Sequence, residues 1–302
     1  IRSNDHRTIS KVITNIENNI DISNALLDDI YSEGKNTIRL GITGPPGSGK
    51  STLTDKLIKQ NLNEGKSIGV VAVDPTSPYT GGALLGDRVR MNNYDGNNNV
   101  FIRSMSSQGS LGGLAAKAQT VGDIIASSGK DIIIFETVGV GQGEYDVIKA
   151  VDLTIVVLVP EAGDEIQLMK AGLIEIADLF VINKSDRDGA DRLLKSLTII
   201  LNTVFKKNNI LPSVFSTSAD RNIGIDQLHN GINEYFKLLK KNNLFKERRL
   251  DRYRSRVLNL VKNNLIKGFW TYEKKEKLDK ATANLKSTNI SPHKLAEELL
   301  GL

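Results

Sequence analysis

Seven short apolar runs punctuate the chain: "TIRLGIT" (37–43), "SIGVVAVD" (67–74), "NVFIRSM" (99–105), "DIIIFET" (131–137), "LTIVVLV" (153–159), "ADLFVIN" (177–183) and "PSVFSTS" (212–218). Within them the apolar residues are continuous rather than alternating. A strand with one wet face alternates, so continuous runs call for a sheet covered on both sides, which is the requirement of parallel strands crossed by helices. Longer amphipathic stretches separate the runs. The pattern predicts an α/β domain over residues 37–240, built on a doubly wound, mostly parallel sheet. Ahead of it, Ile9, Val12, Ile13, Ile16 and Ile20 recur at nearly helical spacing until "EGKN" breaks the pattern, so residues 1–36 are expected to be a helical N-terminal extension. Behind it, Tyr253, Val257, Leu260, Val261 and Leu265 mark a helical stripe, and Pro292 sets off a last short helix. Residues 241–302 are therefore expected to form a helical C-terminal arm. The Asn-rich stretch 92–99 reads as a loop, and there are no internal repeats.

Composition narrows the chemistry. The 302 residues include no cysteine, which excludes disulfides and thiolate metal sites. His6, His229 and His293 are far apart in sequence, lie in no motif and are expected at the surface. No stretch approaches the ~20 apolar residues of a membrane span, and the first residues lack an export pattern. The chain opens at Ile1 rather than Met, so a short leader is expected to be missing, and the expected compartment is the cytoplasm. The net charge is +5, yet residues 237–280 hold fifteen Lys or Arg against five Asp or Glu. The basic surplus belongs to the C-terminal part, and the rest is slightly acidic. Such a segment can bind nucleic acid, but interleaved Leu, Val and Tyr at helical spacing suit packing against another helix. Phe269 and Trp270 fit core or interface anchors better than a base-stacking platform.

"GITGPPGSGKSTLTDKL" (41–57) follows the first apolar run and opens a helical pattern. Gly44, four residues, Gly49, Lys50 and Ser51 have the spacing and context of a phosphate loop. Glycines allow successive backbone N–H groups to turn toward a polyphosphate, and the following helix presents its positive end. Lys50 would reach the outer phosphates, Ser51 would ligate Mg²⁺, and Pro45 and Pro46 would stiffen the loop where no N–H is needed. The ligand expected here is a nucleoside polyphosphate.

"FVINKSD" (180–186) ends another apolar run with Asn183, Lys184 and Asp186. A carboxylate at a strand's end accepts both the N1–H and the exocyclic amine of guanine, whereas adenine presents an acceptor there. Lys184 would cover the ring with its stem, and Asn183 would tie this loop to the phosphate loop. "VFSTSAD" (214–220) brings Thr217, Ser218 and Ala219 to a further strand end, where a backbone N–H would meet the guanine O6; a plain strand-to-helix turn reads almost equally well. "DIIIFETVGVGQGE" (131–144) has the apolar strand, acidic Glu136 and Gly139 of a metal-side motif that senses the γ-phosphate. Val140 stands where Ras-type enzymes carry a water-orienting Gln, so hydrolysis is expected to be slow, with Gln142 or a partner's group needed for rate.

Taken together, "GPPGSGKST", "VAVDPTSPYTGGALLGDRVRM", "ETVGVGQGE", "PEAGDEIQLMKAGLIEIAD" and "VINKSD" resemble the MeaB/ArgK-type branch of the P-loop GTPases, the family of the methylmalonic aciduria type A protein. The resemblance covers about residues 37–240. It implies a GTP hydrolase that chaperones a coenzyme-B12-dependent acyl-CoA mutase, above all methylmalonyl-CoA mutase, gating adenosylcobalamin delivery and protecting the mutase. By the same resemblance Gly44, Pro45, Pro46, Gly47, Ser48, Gly49, Lys50, Ser51 and Thr52 form the phosphate cradle. Asp74, Asp87 and Glu136 join Ser51 around Mg²⁺ and the attacking water, and Asp164 and Lys170 belong to a switch that passes nucleotide state to the mutase. On spacing alone, Asp164 and Lys170 are equally ends of a surface salt-bridge network, and Asp87, near Arg88 and Arg90, fits a solvated ion pair. The family equivalent of residues 103–119 lies near the second switch, and members dimerise through a C-terminal arm, which implies a homodimer with neither nucleic acid nor membrane as partner.

Two other classes share parts of this pattern. A nickel-delivering GTPase for enzyme maturation would have the same fold, but the lack of Cys and of a His cluster argues against it. A small-molecule kinase would keep the phosphate loop, but the Asn183, Lys184 and Asp186 set argues for guanine.

Overall fold

The computed structural model describes all residues except 2, 19, 21, 75–91, 95, 107–110, 138–149, 161–172, 206–209 and 284–289. All seven apolar runs are strands: β1 (Ile38–Thr43), β2 (Ile68–Asp74), β3 (Val100–Ser106), β4 (Ile132–Thr137), β5 (Leu153–Leu158), β6 (Leu179–Ile182) and β7 (Ser213–Ser216). They pair in parallel in the order β3-β2-β4-β1-β5-β6-β7. The doubly wound α/β sheet is therefore present, and every described pairing in it is parallel.

Continuous hydrophobicity is explained by two buried faces. Ile132 and Ile134 of β4, Ile155 and Val157 of β5, and Leu179 and Val181 of β6 enter one cluster with Leu53, Leu57, Leu228 and Phe236. These last four come from α3 (Lys50–Asn63) and α7 (Ile225–Lys241). Their strand neighbours Ile133 and Phe135, Val156 and Leu158, Phe180 and Ile182 point the other way. That opposite face is covered by α1 (His6–Glu17), α2 (Asn24–Gly34), α4 (Leu111–Ala126), the single turn α5 (Leu173–Ile176) and α6 (Ala190–Val204). Truncating a fully buried side chain such as Leu57 to Ala is expected to cost about 2–5 kcal/mol.

The N-terminal stripe resolves into two helices rather than one. Asp5 caps α1 by accepting from Arg7 and Thr8 N–H, and Ser23 caps α2. Ile9 and Ile13 are fully buried among α4 residues and strand side chains, whereas Ile20 lies between the two helices and is exposed. The loop at 92–99 contains the 3-10 turn Asn92–Tyr94. Two histidines depart from the surface expectation. His229 is buried, with Nε2 2.7 Å from Glu64 Oε1. His6 stands edge-on to Phe101 at 5.1 Å, and burial lowers its pKa.

By its contacts the chain forms two compact units, Ile1–Arg252 and Tyr253–Leu302. The first contains the sheet together with α1 and α2. Helix α8 (Leu244–Phe269) begins in the first unit and continues into the second, which also holds α9 (Tyr272–Ala281) and α10 (Pro292–Leu300). No residue of α8 is buried; Leu260 and Leu265 of the predicted stripe are 49% and 69% exposed. Thr271 and Ser291 cap α9 and α10, and Pro292 occupies the first turn of α10. Phe269 stacks edge-on with Trp270 at 5.1 Å and takes the Lys274 ammonium over its ring at 3.8 Å.

Candidate functional site

The carboxyl ends of β1, β4, β5, β6 and β7 converge on one edge of the sheet, where the neighbours of β1 lead away in opposite directions. This is the position at which open α/β sheets bind ligands. β1 runs directly into Gly44, and α3 starts at Lys50 with Gly49 as its N-cap in the left-handed region, φ 85°. A Cβ on Gly44, φ 146°, would lie 2.1 Å from the Val157 carbonyl oxygen. One on Gly49 would lie 2.3 Å from Asn183 Nδ2, so both positions require glycine by conformation and by space. Gly47, φ 76°, faces open space, and Pro46 beside it is exposed.

Lys50 is buried, and its ammonium donates to the carbonyls of Gly44 at 2.9 Å and Pro45 at 2.8 Å. It is thus held inside the loop rather than extended into solvent. Ser51, the next residue, donates its hydroxyl to the buried Glu136 carboxylate at the end of β4. Thr52 follows in the first turn, half-buried. Beneath the loop, Thr137 donates to Thr43 at 2.9 Å, both buried. This pair was missed in the sequence, although each of the two adjacent strands visibly ends on Thr.

Asn183 joins three loops. Its Nδ2 donates to the Ser48 carbonyl at 2.8 Å, while its Oδ1 accepts from Thr217 Oγ1 and Ala219 N–H, both at 3.1 Å. Main-chain bonds reinforce the junction: Ser185 N–H donates to Thr217 O at 2.9 Å and Thr217 N–H to Ile182 O at 2.8 Å. Lys184 adopts φ 55°, a left-handed backbone that a non-glycine residue enters only where its surroundings impose it. Asp186 Oδ1 accepts from Ser218 Oγ at 2.6 Å, and its Oδ2 pairs with Arg221 at 2.9 Å. The Ser218 bond, helped by Arg221 and Arg187, holds the Asp186 carboxyl below its ordinary pKa despite partial desolvation.

The structure therefore brings together Gly44 to Thr52, Glu136, Asn183, Lys184, Asp186, Thr217, Ser218 and Ala219 on one edge. Asp74 ends β2 in register with Ser106 on that edge, but its side chain is outside the described atoms. Asp87, Gly139, Gln142, Asp164 and Lys170 lie outside the described residues. The arrangement offers a glycine-lined cradle on a helix N-terminus, a buried cation, a hydroxyl beside a carboxylate, and an ionised carboxylate on a neighbouring loop.

Comparison with known proteins agrees with this geometry. A family model described as methylmalonyl Co-A mutase-associated GTPase MeaB matches residues 9–274. A putative GTPase of Pyrococcus abyssi is 40% identical over 303 residues, covering 99% of this chain and 94% of the relative. GTPase ArgK of Escherichia coli is 35% identical over 88% of this chain and 90% of its own. The mitochondrial methylmalonic aciduria type A homolog of Mus musculus is 34% identical over 90% of this chain and 67% of its own. Among solved structures, one titled LAO/AO transport system kinase superposes with TM-score 0.72 at 25% identity, covering 99% of this chain and 94% of that one. Motif order, loop geometry and these similarities converge: the chain is a P-loop GTPase and belongs to the MeaB family.

Proposed function

We propose that this GTPase works with Mg²⁺ in the cytoplasm as the chaperone of a coenzyme-B12-dependent acyl-CoA mutase, with methylmalonyl-CoA mutase the first candidate, gating adenosylcobalamin delivery and protecting the mutase. The observation that carries the reading is the family match over residues 9–274, whose description names the mutase association, together with the mouse relative's name. The site geometry supports its nucleotide half. Asp186, kept ionised by Ser218, is the acceptor for the guanine N1–H and amine; Lys184 flanks the ring, and Thr217, Ser218 and Ala219 form the loop near O6.

Gly44 to Thr52 cradle the phosphates, with Lys50 as their cation. Ser51 and Glu136 set a hydroxyl beside a carboxylate, hard oxygen donors of the kind Mg²⁺ takes, so the pair fits that ion. Asp74 and Asp87 complete the acidic group in this reading. Bound Mg²⁺ supplies charge neutralisation of the β- and γ-phosphates. Gly139 senses the γ-phosphate, Gln142 or a group from the mutase orients water, and Asp164 and Lys170 carry the nucleotide state outward. The unburied apolar residues of α8 support the arm as the homodimer contact.

The test is to mix the purified chain with adenosylcobalamin-dependent mutases and measure complex formation and GTP turnover. A nucleotide-dependent complex with accelerated hydrolysis is expected with one of the methylmalonyl-, isobutyryl- or ethylmalonyl-CoA mutases. Absence of both with all three overturns the chaperone reading. The kinase named in the solved relative's title supplies the competing arm: phosphate transfer from GTP to basic amino acids without water-dependent hydrolysis would replace it.

A further inference from the structure

Both oxygens of the Asp186 carboxylate are engaged by donors of the chain itself. Oδ1 takes the Ser218 hydroxyl at 2.6 Å, and Oδ2 pairs with the Arg221 guanidinium at 2.9 Å. The two donors differ in freedom. Ser218 is 1% exposed, and its main chain is fixed twice against Ile223: its N–H donates to Ile223 O at 3.0 Å, and its O accepts from Ile223 N–H at 3.1 Å. Arg221 stands on the turn that this bridge closes, with its own N–H on Ser218 O at 3.1 Å and its side chain 61% exposed. The backbone of the turn is therefore set, while the guanidinium it carries is free to swing into water.

A guanidinium and the guanine edge are the same kind of donor. Each is a planar N–C–N fragment with neighbouring N–H groups, the shape that a carboxylate receives on both of its oxygens. Guanine N1–H and the exocyclic amine together call for both oxygens of Asp186. A carboxylate oxygen has two lone pairs, so the narrow, buried Ser218 hydroxyl can keep Oδ1 beside a base. The guanidinium is as broad as the base edge that has to reach the same carboxylate, and it is the donor with water to retreat to. Charge explains why it is there. The Ser218 hydroxyl also lies 3.0 Å from Asp220 Oδ1, so one proton faces two carboxylates, and Arg221 brings a cation to them.

We infer that Arg221 is a stand-in for the guanine edge on Asp186, and that guanine nucleotides enter by displacing it, so that Arg221 governs how fast the base is accepted. The inference rests on the proposed role of Asp186 in guanine recognition, and it does not depend on which protein is the client. Only molecules whose Asp186 is released accept the base, and the observed affinity is reduced by that fraction. An exposed ion pair is a weak competitor, so the reduction is about twofold to fivefold. The displaced guanidinium has no part in holding the bound base. Its effect therefore falls on association and leaves dissociation as it is.

The experiment follows ribose-labelled fluorescent GDP and xanthosine diphosphate by stopped flow. It compares the full chain with Arg221→Ala, Arg221→Lys, Asp186→Asn and the Asp186→Asn/Arg221→Ala double variant. In the Asp186→Asn background, read with the xanthine nucleotide, removing Arg221 takes away only its attraction for the phosphates. Relative to that reference, Arg221→Ala is expected to raise the association rate of GDP about twofold to fivefold, with dissociation at the parent's rate. The gain should shrink at high salt, which already loosens the pair. Arg221→Lys keeps a cation for Asp186 and is expected to stay within about twofold of the parent. Equal effects of Arg221→Ala in the two backgrounds, or faster dissociation of GDP from Arg221→Ala, overturn the stand-in. Asp186→Asn by itself separates the two ideas. If it keeps the parent's preference for guanine over xanthine, the Asp186 reading falls and takes the inference with it, whereas a shift toward xanthine beside equal effects of Arg221→Ala sinks the stand-in alone.

Discussion

The two edges of the one sheet use their buried polar groups differently. At the amino edge, carboxylates meet guanidinium groups. Asp123 pairs with Arg39, Asp152 takes Arg252 and Arg249, and Asp178 takes both Arg248 and the Tyr235 hydroxyl. Asp152 also accepts the Arg39 backbone N–H at 2.9 Å and is fully buried with its side chain at 0% exposure. At the carboxyl edge, the buried Lys50 ammonium is answered by carbonyl oxygens and Asn183 by neutral groups, while Asp186 stands on an exposed loop. Paired full charges fasten the first turns of α8 to the starts of β5 and β6. Carbonyl oxygens of the loop itself are among the groups that fix the position of the Lys50 ammonium. The difference teaches that ion pairs between distant elements fasten one end of the sheet, whereas at the other the bonds of Lys50 and Asn183 to loop backbone shape a cradle.

The largest expected effect tests the carboxyl edge. Lys50→Ala removes the loop's cation and should lower GTP turnover by about a hundredfold or more; turnover equal to the parent would end the phosphate-loop assignment. At the amino edge, Asp152→Ala leaves the Arg249 and Arg252 guanidinium groups and the Arg39 backbone N–H without the carboxylate they share. It is expected to cost about 3–5 kcal/mol of stability, read from the urea midpoint, with GTP affinity unaltered in the folded fraction. If both edges responded alike in both assays, the contrast would fail.

Asp186→Asn exchanges a carboxylate for an amide and should shift preference from guanine toward xanthine nucleotides, measured by competitive titration. Ser218→Ala sharpens the same point. The Ser218 bond is the main cause of the depressed Asp186 pKa, so its loss moves that pKa upward, and GTP binding should weaken at a higher pH on acidification. A superimposable pH profile would detach Ser218 from that role.

The smallest effect concerns Lys130, buried between α4 and β4, whose ammonium donates to Asn98 O at 2.6 Å and whose pKa burial lowers to about 8. Between that value and its ordinary 10.5 the unfolded chain binds the extra proton, so stability contributed by this group rises with pH across that window. Lys130→Met should therefore melt at or above the parent near pH 7, with the advantage shrinking as pH passes 8. Asn98 O keeps its bond from Asn4 Nδ2 at 2.8 Å. An advantage that grew with pH would reverse the assignment.

Much of this protein is local in sequence and so was legible there. Each strand declares itself through contiguous apolar residues, because both faces of a covered sheet exclude water. The phosphate loop declares itself through glycines at positions such as Gly44 and Gly49, where a Cβ would strike Val157 or Asn183. Asn183 and Asp186 were readable as members of one loop because both sit within four residues after a strand. Sequence periodicity also marked Ile9 and Ile13, but not that they enter the core beside α4.

The order of strands and the amino-edge network were decided only by the folded chain. Asp152 and Arg252 are 100 residues apart and Asp178 and Arg248 are 70 apart, with no repeat or spacing to announce the partners. Short-range order follows from backbone geometry and burial along a few residues. Pairing of distant charges follows from which strand ends the parallel topology sets side by side, and that is a property of the assembled sheet.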